Sequence, residues 1–399
     1  MSGSDTPSGV RTLILAPFFG AESPNNRPRA MAAVLARFGP VDVVTTGFDH
    51  VRKRHKPPEI WPVARRVAQL PTPAYPRNVS VRRFWSHLVF ARRALHFAAA
   101  HAAEYDVVYA TAPLSSLASA AFARLSHAVR ILDVVDVWPD VLPFPPVVRR
   151  FGAPAFHAWK AHFAEACRRA DVLLAVSDAF LDEGRRWFRG DAERAQRFYI
   201  GHPAFPSTGG ARVDSGRRRV AYVGNIGTLY DFDTLLDALD APELRGTYQL
   251  DVIGGGDRDR WLRGELRRRG LAHHHWGVVH APEVLGPILG QCHVGFNGYR
   301  NTSAAFSYKA TTYLAAGLPL LNSMGGDLAT LVRDRQLGAN YAEGDCDSLR
   351  GAIAGLGSQD QGAVRARCRT FFAEELESAR VDAQLQEFLT SVLGARPQP

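Results

Sequence analysis

Lysine and cysteine are scarce in this 399-residue chain, and long apolar runs are lacking. Its four cysteines are Cys167, Cys292, Cys346 and Cys368. They are far apart and lack metal-site or redox spacing, which excludes a disulfide scaffold and predicts reduced structural thiols. No uncharged apolar run reaches a bilayer-spanning length, and the first ten residues carry no leader-like pattern. The sequence therefore predicts a cytoplasmic protein without a membrane span.

Positive charge comes almost entirely from arginine. The four lysines leave 48 − 4 = 44 arginines, and the net charge is +9. Such a balance admits nucleic acid, an anionic membrane surface or acidic small molecules as partners. The arginines occur as scattered pairs and triplets without a long basic tract, so nucleic acid is not predicted.

The length and the 46% hydrophobic content favour two domains. Apolar runs of strand length alternate with helical periodicity, which predicts an α/β fold with parallel sheets. Periodicity is lost and Pro, Ser and Gly accumulate between Pro203 and Gly216. We therefore predict domains at 1–205 and 206–375, followed by a C-terminal helix and tail at 376–399 that packs back on the first domain.

Two segments of the first domain are ambiguous. Residues 50–80 are rich in proline and basic groups and are predicted to form a long excursion. Residues 81–103 predict an amphipathic helix that buries Phe84, Trp85, Leu88 and Leu95. The alternative is a helix that contacts a membrane surface, since such helices are also basic and aromatic.

A short helix in the second half predicts a phosphate site. Ser307 can cap its first turn, and Lys309 adds an ammonium to the positive end of the helix dipole. In the preceding loop and first turn, Phe306 and Tyr308 can flank a base or sugar. The alternative is an ordinary solvated lysine on a helix that packs against a sheet.

Glycine-edged strand ends strengthen the phosphate interpretation. Strand 219–223 runs into Gly224-Asn225-Ile226-Gly227, and strand 248–253 runs into Gly254-Gly255-Gly256. Glycine at the carboxyl end of a strand lets backbone amides approach a ligand.

These motifs resemble the donor domain of the retaining GT-B glycosyltransferases known as family 4, or glycosyl transferases group 1. The resemblance is carried by Tyr222 to Gly227, by Val252 to Gly256, and by Lys309 followed by Tyr313-Leu314-Ala315-Ala316-Gly317-Leu318-Pro319. In the first half, Asp133-Val134-Val135-Asp136-Val137-Trp138-Pro139 is similar to the family's cleft segment.

The resemblance implies two Rossmann-like domains with parallel sheets facing across a cleft, and a nucleotide-sugar held by the second domain. It implies no metal and no cofactor beyond the nucleotide-sugar as co-substrate. The donor-binding set that follows is Gly224, Asn225, Gly227, Gly255, Phe306, Ser307, Tyr308, Lys309 and Thr312. The catalytic candidates are Asp136 and Lys309, and the acceptor-side candidates are Gly20, Arg27, Thr111 and Trp138.

The chain departs from the family pattern at two places. The paired glutamates of the family fall on Ala304 and Thr312, and the second normally holds the ribose hydroxyls. The basic pair of the donor domain falls on Asn225 and Tyr230. These departures leave the donor and the stereochemistry open.

Other classes compete with this interpretation. Three Asp-x-Asp matches, beginning at Asp231, Asp257 and Asp345, would suit a metal-dependent GT-A enzyme, and glycine-ended strands would suit an NAD enzyme. A GT-B epimerase, or a non-catalytic nucleotide-sugar-binding or partner subunit, would share the diphosphate site. The run His273-His274-His275 suggests a metal or, alternatively, a surface turn.

We expect a retaining, metal-independent glycosyltransferase of bacterial-type polysaccharide, glycolipid or natural-product synthesis. Peripheral contact with the inner face of a membrane is a further expectation.

Overall fold

The computed structural model describes residues 9–17, 26–50, 52–76, 80–139, 150, 152–206, 216–302 and 305–394. Gly20 and Ala304 lie outside these ranges. The chain forms two compact units, Met1–Tyr199 with Asp382–Pro399, and Ile200–Val381. The structure thus divides after Tyr199, whereas the sequence-based division follows residue 205.

The first unit is built on a parallel sheet. Its strands are β1 (Thr12–Ala16), β2 (Val41–Thr46), β3 (Phe48–Asp49), β4 (Arg54–His55), β5 (Arg66–Leu70), β6 (Val107–Ala112), β7 (Val129–Val134), β8 (Val172–Ala175) and β9 (Ala195–Arg197). Its helices are α1 (Arg27–Leu35), α2 (Val81–Ala100), α3 (Ser115–Arg124), α4 (Ala153–Arg169) and α5 (Asp178–Arg185). Over the described residues the sheet order is β5-β2-β1-β6-β7-β8-β9, and β3 pairs with β4 in a hairpin.

The second unit is also a doubly wound parallel sheet. Its strands are β10 (Arg218–Asn225), β11 (Tyr248–Gly255), β12 (His273–Gly277), β13 (Val294–Asn297), β14 (Leu320–Asn322) and β15 (Gly338–Asn340). Its helices are α6 (Phe232–Asp240), α7 (Asp259–Arg269), α8 (Pro282–Gly290), α9 (Tyr308–Ala315), α10 (Gly326–Asp334), α11 (Cys346–Gly357) and α12 (Gln361–Phe371). The order is β12-β11-β10-β13-β14-β15.

The last helix, α13 (Ser378–Gly394), begins in the second unit, and its residues from Asp382 onward belong to the first. There the ring of Phe388 lies 5.5 Å from that of Phe198.

The α/β prediction with two parallel sheets is confirmed, because both sheets pair only in parallel over the described residues apart from the β3–β4 hairpin. Each sheet buries the middle of its central strands. In the second, Val220, Tyr222, Leu250 and Val252 are fully buried in a core shared with helix α6. Such continuous apolar strands are typical of sheets covered on both faces.

Two expectations about the first unit are wrong. Residues 50–80 include strand β5, which pairs in parallel with β2 at the sheet edge. Its five residues are only half-buried, so its apolar signal is weak. Helix α2 buries a face that includes Phe90, Ala94 and Ala98, while Phe84, Trp85 and Leu88 are exposed and Leu95 is half-buried. The alanines of the buried face let the helix pack closely, and the other apolar face is left exposed.

The run His273 to His275 lies in strand β12 and not in a turn. Over the described residues, none of the helices combines the length and hydropathy that a bilayer crossing requires.

Candidate functional site

The carboxyl edge of the second sheet brings the glycine-ended strands together. β10 and β11 are in register so that Gly224 lies beside Gly254 and Asn225 beside Gly255. Gly224 has φ = 122° and Gly254 has φ = 151°, a region that residues with a Cβ rarely adopt. A Cβ on Gly254 would lie 1.9 Å from the carbonyl oxygen of Gly224, so the approach of the strand ends requires glycine.

Helix α9 is fixed to this edge by Tyr313. Its buried hydroxyl accepts a hydrogen bond from the Val223 amide at 2.8 Å and donates to the Phe296 carbonyl at 3.1 Å. Gly295 makes room for the ring, because a Cβ there would lie 2.4 Å from Tyr313 Cγ. One side chain thus holds the helix against both β10 and β13.

The first turn of α9 begins at a buried polar cap. Ser307 Oγ accepts from the Ala310 amide at 3.1 Å and donates to Asn297 Oδ1 at 2.6 Å. Asn297 in turn donates to Asn322, which donates to Asn340, each at 2.8 Å. This chain of amides across β13, β14 and β15 fixes the position of the helix start.

Lys309 extends from the first turn of α9 toward the end of strand β10. A Cβ on Gly224 would lie 3.2 Å from Lys309 Cε, so the lysine stem passes against the glycine. The predicted phosphate-binding elements of the second unit, a helix-borne ammonium and the glycine-ended strands, therefore lie side by side.

Three tyrosines surround the Lys309 ammonium. Its Nζ lies 3.1 Å from the ring centroid of Tyr230, 4.6 Å from that of Tyr222 and 4.8 Å from that of Tyr299. It also donates a hydrogen bond to the Tyr222 hydroxyl at 3.0 Å. We call these three residues the tyrosine cage. Local sequence patterns do not predict this cage, because the three tyrosines come from separate segments.

The cage has opposing electrostatic effects on the lysine. Burial lowers the pKa of Lys309 well below its ordinary value because the charged form loses water. The negative faces of the rings favour the charged form. Among the residues that the structure describes, no carboxylate pairs with this ammonium. Over the described residues, the site therefore holds an amine without a carboxylate partner, at the start of helix α9.

The other predicted donor residues are placed less directly. Gly227 lies in the loop after β10, where a Cβ would lie 2.9 Å from the side-chain Nδ2 of Asn225. A Cβ on Gly255 would lie 3.4 Å from Val278, outside this cluster. Thr312, at the position of the family's second glutamate, donates its hydroxyl to the Tyr308 carbonyl at 3.1 Å.

The aromatic candidates differ in their surroundings. Phe306 and Tyr308 are both half-buried. The ring of Tyr308 lies 5.4 Å from that of His202, and burial raises the pKa of Tyr308 to about 12.

Asp136 and Trp138 form a second cluster, in the first unit after strand β7. The Trp138 indole donates to Asp136 Oδ2 at 2.8 Å, and burial raises the pKa of Asp136 to about 6. The Arg83 guanidinium lies 4.9 Å from the Trp138 ring centroid. His87 stacks on the same ring, and burial lowers the pKa of His87 to about 3. The surroundings of Asp136 thus hold its pKa above that of an exposed carboxyl group.

Arg27 and Thr111 are buried near the carboxyl edge of the first sheet. Arg27 forms an ion pair with Asp133 at 2.8 Å, and Tyr109 donates to the same carboxylate oxygen at 2.7 Å. Thr111 is 2% exposed and pairs with Asp133 in the register of β6 and β7. The Arg27 charge is thus compensated within the unit.

Comparison with known proteins agrees with this architecture. Residues 217–359 match the family model described as Glycosyl transferases group 1. No curated protein matches the chain by sequence.

Solved structures with the same fold are numerous. A sucrose-phosphate synthase from Thermosynechococcus elongatus has a TM-score of 0.71 at 17% identity, covering 97% of this chain and 100% of its own. WaaG, a glycosyltransferase involved in lipopolysaccharide biosynthesis, has a TM-score of 0.66 at 14% identity, covering 96% and 100%. Anabaena HepE in complex with UDP-glucose has a TM-score of 0.63 at 16% identity, covering 96% and 99%. Residues 217–359 thus match the glycosyl transferases group 1 model, in a chain with the fold of GT-B glycosyltransferases.

Proposed function

We propose that the protein is a glycosyltransferase that moves a sugar from a nucleotide-sugar to an acceptor hydroxyl, and that the second unit holds the donor diphosphate at Lys309. The observation that carries this proposal is the position of the Lys309 ammonium beside Gly224 and the start of α9, where no carboxylate of the described residues pairs with it. A diphosphate supplies the counter-charge that this position lacks. HepE, which shares the fold, was crystallised with UDP and with UDP-glucose, so uridine nucleotides are the first ligands to test.

The chemistry follows from the charge that develops as the sugar leaves. Breaking the bond to the anomeric carbon leaves negative charge on the nucleoside diphosphate. The Lys309 ammonium and the positive end of the α9 helix dipole are fixed before the reaction, so they stabilise this charge without reorganisation. We propose that these groups serve in place of a metal ion, with retention of configuration at the sugar. No further cofactor is needed.

Asp136 is the proposed acid–base group on the acceptor side. As the group titrates near pH 6, its carboxylate form predominates at pH 7 and can accept a proton from an acceptor hydroxyl. The charge of the nearby Arg83 lowers the pKa of Asp136 and so offsets part of the increase that burial causes. We propose an acceptor in bacterial-type polysaccharide, glycolipid or natural-product synthesis.

A second candidate is a nucleotide-sugar-binding protein without turnover. It is favoured by Thr312, which replaces a family glutamate and whose hydroxyl already bonds to the Tyr308 carbonyl. Such a protein would use the same Lys309 site for binding.

One experiment separates the two candidates. A thermal-shift screen of nucleoside diphosphates and nucleotide-sugars identifies the ligand, since a ligand that binds only the folded state raises the unfolding temperature. Release of nucleoside diphosphate from that nucleotide-sugar is then measured with candidate acceptors, with and without EDTA. Acceptor-dependent release that EDTA does not change supports the enzyme. Binding without release by the purified chain supports the non-catalytic protein, and no shift with any nucleotide contradicts both.

A further inference from the structure

Helix α2 carries an apolar stripe that faces solvent. Val81, Phe84, Trp85 and Leu88 follow the i, i+3, i+4, i+7 spacing of one helix face. Their exposed fractions are 86%, 52%, 59% and 43%. Hydrophobic side chains scattered singly on a surface need no explanation, but a contiguous stripe indicates an interaction site. We call these four residues the α2 stripe.

Aromatic contacts extend the stripe toward α4. The ring of Phe84 meets that of Trp159 edge-on at 6.2 Å, and Trp159 meets Trp138 edge-on at 5.7 Å. These contacts hold the start of α2 against α4. The α2 stripe is therefore presented on a fixed surface of two helices.

The charges that helices α2 and α4 carry beside the α2 stripe, over residues 81–100 and 153–164, have one sign. Residues 81–100 contain four arginines and no acidic residue, and Arg82 and Arg92 are exposed. On α4, residues 153–164 add the exposed Lys160 and also contain no acidic residue. The first carboxylate of that helix is Glu165, which pairs with Arg168 and Arg169.

We propose that this face of the first unit docks on an anionic lipid bilayer, with the α2 stripe inserted among the headgroups and the arginines on lipid phosphates. Apolar and aromatic residues on one helix face, flanked by arginine, are the features of helices that lie in a membrane interface. A protein partner is less suited, because the exposed side chains form a ridge on a helix and the surrounding charge matches a continuous negative surface. An acceptor carried by a lipid would then be met at the membrane, although the docking itself does not depend on catalytic activity.

The test is flotation of the full-length protein with vesicles of phosphatidylcholine alone or with 30% phosphatidylglycerol. We expect binding to the anionic vesicles only, and weaker binding at high salt. The double variant Phe84→Ser with Trp85→Ser removes most of the inserted area and is expected to lose about ten-fold or more in vesicle affinity. Arg82→Gln is expected to lose about five-fold, since a basic residue near an anionic surface contributes about 1 kcal/mol.

Matched controls separate the surface from general effects. Trp187 lies elsewhere in the first unit and is 39% exposed. The variant Trp187→Ser tests the loss of an exposed tryptophan outside the α2 stripe. Arg267→Gln removes an exposed arginine from α7 in the second unit. Both controls are expected to bind vesicles as the wild type does.

Three results would overturn the proposal. One is equal binding to neutral and anionic vesicles, and another is unchanged binding by the Phe84/Trp85 variant. The third is a wild-type dimer that ignores vesicles and dissociates in that variant, which would make the α2 stripe a surface for a second copy. Circular dichroism and unfolding temperature are measured in parallel, because a large loss of stability would show that the stripe is covered within the protein.

Discussion

Replacing Lys309 by methionine tests the proposed diphosphate site most informatively. Methionine keeps much of the length of the side chain and removes the charge, so the tyrosine cage can keep its packing. A charged hydrogen bond is worth about 1.5–3 kcal/mol, so the affinity for the nucleoside diphosphate is expected to fall by about 10- to 150-fold. Charge develops further in the transition state, so kcat/KM is expected to fall more, by about 10² to 10³.

The same variant has a predicted effect on stability without ligand. Because the folded-state pKa of Lys309 lies below its ordinary value, the unfolded chain binds more protons between these two pKa values. Wild-type stability therefore gains a contribution as the pH rises through this window toward the ordinary pKa, and Lys309→Met lacks that gain. Urea unfolding of both proteins between pH 7 and pH 10 measures the difference in slope.

Calorimetric titration with the nucleotide identified by the thermal-shift screen measures affinity, and diphosphate release measures turnover. Lys160→Met, on the exposed side of α4, is the control for loss of a lysine and should bind the nucleotide as the wild type does. If folded Lys309→Met keeps wild-type affinity and turnover, the ammonium does not hold the diphosphate.

Two further changes test the acid–base group and the strand ends. For Asp136→Asn we expect turnover at neutral pH to fall by about 10²-fold or more. The wild-type kcat/KM should rise with pH through about 6, because the carboxyl group of Asp136 ionises there. Gly254→Ala places a Cβ against the Gly224 carbonyl, so we expect unfolding to become easier by about 1–3 kcal/mol in urea titration, with weakened nucleotide binding.

Each of these two changes has a control variant in the same unit. Asp182→Asn removes an exposed carboxylate of the first unit and should leave the pH profile unchanged. Gly264→Ala, on helix α7 where a Cβ meets nothing within 4 Å, should be neutral or stabilising. A flat pH profile in wild type, or a fully stable Gly254→Ala, would contradict the respective assignment.

The sheet strands were largely predictable because each is an apolar run of strand length. Strand β10, Arg218–Asn225, includes the predicted residues 219–223, and β11 begins at Tyr248 as predicted. The edge strands were not predictable in this way. The half-buried β5 and the three-residue β15 bury too little to leave an apolar signature. Helix α2 was recognised, but its two apolar faces could not be ranked, because alanine packing and bulky side chains satisfy the same periodicity.

The candidate site was predictable where a local motif defines it. The glycines at the ends of β10 and β11, and Ser307 before α9, can be recognised from their neighbours in the chain. The tyrosine cage is not, since Tyr222, Tyr230 and Tyr299 meet only after β10 and β13 pair in the sheet. Their arrangement depends on tertiary packing that spacing alone does not encode.

The most direct measurement of the central claim is a crystal structure of the full chain with the nucleoside diphosphate that the screen identifies. We predict a phosphate oxygen within hydrogen-bond distance of Lys309 Nζ, about 3 Å, with further phosphate oxygens on the amides that begin α9 and the ammonium drawn away from Tyr230. A nucleotide bound elsewhere, with Lys309 still enclosed by its three tyrosines, would contradict the account.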